Sequence, residues 1–168
     1  GIPFFVEKPP GLVPDQTKTL AELADRYGIR NMVGYNRRYY SNFQQGLEII
    51  EQHGGLLGLA VEGHERFWNV AGGDLPEEIR ANWIYCNSTH TVDLLRFFGG
   101  EIRSISPHSK GLREINGDQF VASMQFELGA LGTYTSHWYS PGGWSATLFG
   151  DGVTVKFKPL KTGIWIDN

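Results

Sequence analysis

From Leu57 onward the chain follows one dominant pattern, short β-branched and aromatic runs cut apart by turn-forming residues. Leu57 to Phe67, Ile102 to Lys110, Gln119 to Glu127, Gly132 to Tyr139, Trp144 to Phe149 and Val153 to Phe157 are such runs, separated by glycine, proline, asparagine or aspartate. Gly150-Asp151-Gly152 reads as a hairpin turn. Consecutive short strands joined in this way form an antiparallel sheet. One helix, read over Ala81 to Phe98 with Gly99-Gly100 as its stop, interrupts them.

Ahead of these runs the pattern differs. Ile2 to Val6 is an apolar strand, and Asp15 to Gly28 carries Leu20, Leu23, Ala24 and Tyr27 at helical spacing, with Asp15 as N-cap and Gly28 as terminator. Asn31 to Tyr35 is again strand-like, so the first 35 residues scan as strand, helix, strand, the right-handed crossover of a parallel sheet. Such sheets are buried on both faces, which calls for something further to pack here. A second helix is read over Asn42 to His53, with Phe43, Leu47 and Ile50 on one stripe and Gly54-Gly55 as its stop.

Composition narrows the partners. With 168 residues, 40% of them hydrophobic and 13% aromatic, the chain can bury a real core. A net charge of −3 without a lysine or arginine block argues against nucleic acid or an anionic membrane surface, and leaves small molecules. The single cysteine, Cys86, excludes an internal disulfide framework and suits a reducing, cytoplasmic setting. No apolar run reaches the roughly 18 residues of a membrane span, and no leader is read at the start. The sequon Asn87-Ser88-Thr89 matters only in a secreted protein. The chain opens on Gly1, and Ile2 to Val6 already reads as the middle of a buried strand, so a fragment is expected.

Two stretches carry chemistry. In "ANWIYCNSTHTVDLLRFFGG", His90 lies three residues before Asp93 and four after Cys86, which puts all three on one face of an α-helix. A carboxylate beside a histidine can fix its tautomer and raise its basicity, leaving the other nitrogen to take a proton. A hydrogen-bonded core histidine fits the same spacing. In "FFVEKPPG", Lys8 follows a strand's carboxyl end, where parallel sheets bind ligands. Pro9 biases Lys8 toward an extended conformation, and the two prolines stiffen the backbone beyond it. A lysine there can bond a substrate oxygen and lower its pKa, although a surface lysine at a strand end fits too.

Taken in order, "FVEKPPG", a helix, "VGYNRRYYSNF", a helix, a strand, "NSTHTVDLLRFFGG" and a run of strands resemble the glucose-fructose oxidoreductase, inositol dehydrogenase and MocA family over essentially the whole chain. Its members are NAD(P)-dependent enzymes acting mostly on sugars and cyclitols. The resemblance implies that Lys8 sits near the nicotinamide and the substrate hydroxyl, with Glu7 and Pro9 beside it at the cofactor, NAD or NADP. It implies His90 as the base for the hydroxyl proton. It further implies Asn36, Arg37, Cys86, Asn87, Asp93 and Tyr139 as substrate-contacting positions, with Trp138 a weaker candidate and Arg38 a surface or structural residue. His137 has no partner spacing for a metal role.

Two departures stand out. Many members carry an aspartate four residues before the histidine, where this chain has Cys86, a residue that supplies no carboxylate charge. The Gly-x-Gly-x-x-Gly turn that meets a dinucleotide's pyrophosphate is absent from the sequence. The expected fold is therefore α+β, a mostly antiparallel open sheet with helices on one face, preceded by a remnant β-α-β unit. Residues 1–36 read as the end of a Rossmann-type dinucleotide-binding domain, and residues 37–168 as a C-terminal substrate-binding and oligomerisation domain. The expected function is that of a sugar or cyclitol dehydrogenase, inactive as this chain alone, with a sugar-like substrate and a homo-oligomer formed through the open sheet. A ligand-binding or dimerisation module without redox activity, and an NAD-dependent non-redox enzyme of the same family, are the alternatives.

Overall fold

The computed structural model describes residues 1–167. Two short strands, β1 (Phe4–Val6) and β2 (Asn31–Val33), pair in parallel around helix α1 (Pro14–Arg26). A 3-10 turn (Asn36–Tyr39) leads to α2 (Ser41–Gln52) and then to the main sheet. That sheet comprises β3 (Gly58–Gly63), β4 (Ile102–Lys110), β5 (Gln119–Phe126), β6 (Leu131–His137), β7 (Trp144–Gly150), β8 (Val153–Phe157) and β9 (Gly163–Asp167), in the spatial order β4-β5-β6-β3-β7-β8-β9. Between β3 and β4 lie the short helices α3 (Phe67–Ala71) and α4 (Glu77–Ala81), a π-helical turn (Ile84–Ser88) and α5 (Thr89–Gly99).

The architecture is α+β and the sheet mostly antiparallel, as the turn-punctuated runs require. One pairing breaks the rule: β3 runs parallel to β6 and antiparallel to β7, so the first strand of the sheet lies in its interior. Asp151-Gly152 forms the two-residue turn between β7 and β8, with Gly152 at φ +66°. The edge strand β9 is not among the runs read from the sequence.

Alternation fixes which sheet face is covered. Leu59 and Val61 of β3, Tyr134 of β6, Ala146 and Leu148 of β7, and Val155 and Phe157 of β8 point to the side on which α2 and α5 pack. There they meet Phe43 and Ile50 from α2 and Leu94, Leu95 and Phe98 from α5. Phe43 sits at the centre, with ring centroids of Phe157 at 4.8 Å, Phe98 at 5.0 Å and Tyr40 at 5.3 Å. Gly46 lets α2 come this close, because a Cβ there would stand 2.5 Å from Cζ of Phe157. The other sheet face leaves Val121, Leu131, Phe149, Ile164 and Ile166 exposed.

The β-α-β unit differs from expectation in the cap of its helix. The N-cap of α1 is Val13, with Pro14 opening the helix and Asp15 in its first turn. Asp15 therefore acts on the helix dipole and not as a cap. Of the apolar stripe only Ala24 is buried, while Leu20, Leu23 and Tyr27 are exposed together with Phe4, Phe5 and Met32. Two strands and one helix are too few to close over both faces. Gly28 does terminate α1, at φ +58°. Among the described residues no helix is long and apolar enough to cross a membrane.

Removing the centre of the core tests this packing. Phe43→Ala is expected to destabilise the fold by about 3–5 kcal/mol in urea denaturation, whereas Ile115→Ala should change it by less than about 0.5 kcal/mol. Ile115 is 99% exposed.

Candidate active site

The site forms where the β-α-β unit meets the start of α5. Lys8 leaves the end of β1, its peptide bond to Pro9 is cis, and its Nζ donates a 2.6 Å hydrogen bond to the main-chain carbonyl of Cys86. That carbonyl belongs to the π-helical turn. The single helix read over Ala81 to Phe98 is thus broken into α4, the π turn and α5. A π turn replaces the regular ladder with wider i→i+5 bonds, a device that recurs at functional sites. Burial holds the Lys8 ammonium below the ordinary lysine pKa, with the Arg37 charge acting the same way against Cys86, Glu7 and Glu65. The Cys86 side chain is buried, and burial pushes its thiol up, so it is neutral near pH 7.

His90 lies in the first turn of α5 and is 6% exposed. Its ring meets Tyr35 edge-on at 6.3 Å and tilts against Trp144 at 6.0 Å. Its Nδ1 is buried with no hydrogen-bond partner. Burial first, then the charges of Lys8 and Arg37, push its pKa down to about 4. Asp93 acts in the expected upward direction but is outweighed, and no hydrogen bond from it orients the His90 ring. Asp93 is held by Arg38, whose Nε reaches Oδ2 at 2.7 Å and whose Nη2 reaches Oδ1 at 2.6 Å. A bidentate guanidinium occupies both carboxylate oxygens and fixes their direction, so little of the charge is left for the imidazole one turn away.

The side chain that sequence reasoning missed is Glu65. It is 8% exposed, and its Oε1 accepts from Asn87 Nδ2 at 3.1 Å, Ser88 Oγ at 3.2 Å and Trp144 Nε1 at 3.3 Å. One buried carboxyl thereby ties the π turn to the start of β7. Burial raises its pKa, against the three hydrogen bonds. Its signal in the sequence was register, since Leu59, Val61 and Gly63 alternate onto the core side and Glu65 continues that series. Gly63 matters to the same arrangement, because a Cβ there would stand 2.5 Å from the Tyr134 hydroxyl and 2.7 Å from Thr91 Oγ1. Its absence lets β3 run close beneath the first turn of α5.

The other expected positions divide. Arg37 joins the cluster: its guanidinium carbon lies 5.8 Å from the Trp144 ring and 5.4 Å from that of Tyr40, whose hydroxyl accepts from Nη1. Tyr35, not singled out from sequence, bonds Thr89 through its hydroxyl at 3.1 Å. Asn36 is exposed at the start of the 3-10 turn, Pro9 is half-buried beside Lys8, and Glu7 is exposed with its carboxyl over Gly34. Asn87 is committed to Glu65. Tyr139 is not brought to the cluster: its hydroxyl donates to Glu114, Arg113 lies 4.5 Å over its ring, and Phe67 packs beside it. Trp138 is buried and stacked on Phe67 at 4.9 Å. His137 stacks on His64 at 5.5 Å.

Comparisons with known proteins bear on the fold. No family model matches the chain. A scyllo-inositol 2-dehydrogenase (NAD(+)) of Bacillus subtilis is 29% identical over 153 residues, 85% of this chain and 44% of the relative. Among solved structures, a levoglucosan dehydrogenase complex with NADH and L-sorbose superposes with a TM-score of 0.78 at 16% identity, covering 92% of this chain and 47% of that one. The WlbA dehydrogenase of Bordetella pertussis in complex with NADH and UDP-GlcNAcA does so with a TM-score of 0.75 at 22% identity, covering 91% and 51%. The chain thus spans about half the length of the proteins it matches. Its fold is that of one half of an NAD-binding oxidoreductase. More specifically, it is the fold of the matching halves of these levoglucosan and WlbA dehydrogenases.

A buried neutral His90 has a consequence for stability. Its folded pKa of about 4 lies below the 6.5 of a free imidazole, so between these values the unfolded chain binds the extra proton. Stability should fall as pH drops through that window, by at most about 3 kcal/mol from this group. Urea midpoints at pH 5 and pH 7.5 check this, and His90→Gln is expected to shrink the difference.

Proposed function

We propose that this chain is the substrate side of an NAD(P)-dependent oxidoreductase that takes a hydride from a CH–OH group of a sugar or cyclitol. The observation that carries the reading is the meeting of a tethered lysine with a neutral, buried histidine whose Nδ1 has no partner. On this reading residues 1–36 are the end of a dinucleotide-binding domain, and residues 37–168 form the substrate domain. Support comes from an NAD(+)-dependent inositol dehydrogenase as the curated relative and from solved neighbours bound to NADH with sugars.

A bound nicotinamide supplies the acceptor for the hydride. Lys8, Glu7 and Pro9 are the residues here that fit its reactive end, since they lie beyond the carboxyl end of β1 and Lys8 keeps a fixed direction through Cys86. The Lys8 ammonium donates to the substrate oxygen and stabilises the negative charge that grows there. His90 is unprotonated near pH 7 and takes the hydroxyl proton at a ring nitrogen. With cysteine at position 86, the lysine is oriented by a main-chain carbonyl in place of a carboxylate. Arg38 and Asp93 hold the 3-10 turn against α5 and so keep Arg37 at the site. The exposed apolar sheet face is the proposed seat of a second copy of the chain, and a cytoplasmic setting belongs to the same proposal.

The sequence contains no glycine-rich dinucleotide turn, so this 168-residue chain by itself should not turn over NAD(H). The reading is tested in a protein that joins it to such a domain. Dinucleotide-dependent oxidation of sugars and cyclitols is expected there, and Lys8→Met or His90→Ala should each lower kcat by about a hundredfold or more. Unchanged kcat in both variants would contradict the assignment.

A further inference from the structure

Two consecutive arginines meet different fates in this fold. Arg38 is neutralised by Asp93 through two hydrogen bonds. Arg37, one residue earlier, has no carboxylate partner among the described residues, and its Nε is buried with nothing to donate to. Arg37 is half-buried, and a guanidinium with its inner nitrogen cut off from water and no counter-ion beside it is suited to an anion brought to its open side. Arg37 is also held in place, between the rings of Tyr40 and Trp144.

The space beside it has the matching character. A cavity of about 240 Å³ is lined by Arg37, Tyr40, Trp144, Pro159, Leu160 and Lys161, with two cations and no carboxylate. Trp144 is common to this cavity and the reacting end, since His90 packs against the same indole at 6.0 Å. Glu65, the nearest acid to that ring, spends its Oε1 on Trp144, Asn87 and Ser88.

We propose that Arg37 and Lys161 bind an anionic substituent, a carboxylate or a phosphate, of the polyol whose hydroxyl faces Lys8 and His90. This inference rests on the reading of those two residues as the reacting end, and it specifies the substrate as an acidic or phosphorylated sugar. The planar fork of Arg37 suits either group, and Lys161 adds a point charge at the rim.

Binding to the 168-residue chain, monitored by NMR titration, tests this without any turnover. The probes are glucuronate, glucose 6-phosphate, neutral glucose and NADP. Either or both sugar anions should bind saturably and at least about tenfold more tightly than glucose, in a salt-dependent manner. Their relative affinities tell carboxylate from phosphate. Arg37→Met should remove most of that preference. Lys161→Met, at an exposed position that folding does not need, should weaken it several-fold. Equal affinity for glucose, no saturable binding of either sugar anion, or anion binding unchanged in the folded variants would overturn the proposal. So would Arg37-dependent binding of NADP without binding of the sugar anions. Anion binding here combined with an absence of redox activity in the joined protein would sink the oxidoreductase reading and leave this site standing.

Discussion

A hydrogen bond from Lys8 Nζ to the carbonyl of Cys86 spans 78 positions of sequence and, with the one between Tyr35 and Thr89, joins two parts of unlike packing. On one side is a two-stranded β-α-β unit with most of its apolar surface uncovered, on the other the entry to α5 above a well-packed sheet. The bond takes its acceptor from the π turn. It needs that turn held still. Glu65 does this from β3 by accepting from Asn87 and Ser88, and its third bond, from Trp144, draws β7 into the same arrangement.

Electrostatics then divide labour among the ionisable groups. Asp93, which the helical spacing places near His90, is engaged by Arg38, so the histidine feels burial and two neighbouring cations more than it feels a carboxylate. The result is an imidazole that is neutral through the ordinary pH range. The same two cations, Lys8 and the unpartnered Arg37, suit an oxygen acquiring negative charge at one end and an anionic group at the other.

Much of this was legible in the sequence, for identifiable reasons. Turn residues at short intervals announced the antiparallel strands, and glycines at 28, 54 and 152 marked chain reversals that need positive φ. Lys8, Arg37 and His90 could be singled out because motif order placed them together. The rest depended on tertiary structure. A π turn has the same local composition as an α-helix, so the break at Ile84 could not be seen. The pairing of Asp93 with Arg38 joins residues 55 positions apart. The parallel contact of β3 with β6 joins strands about 70 positions apart, and a helical stripe such as Leu20 and Leu23 says only which face is apolar, not what covers it. Glu65 was visible in principle, as an acid on the buried phase of a strand.

Everything at the site turns on Lys8 being a tethered, partly desolvated ammonium at the carbonyl of Cys86. The most direct measurement is an NMR titration of the chain with isotope-labelled lysine side chains, Lys8 being assigned by loss of its signal in Lys8→Arg. Lys8 is predicted to titrate below the other lysines, with ammonium protons that exchange slowly with water. Titration together with the surface lysines, near about 10.4 and with rapid exchange, would contradict it.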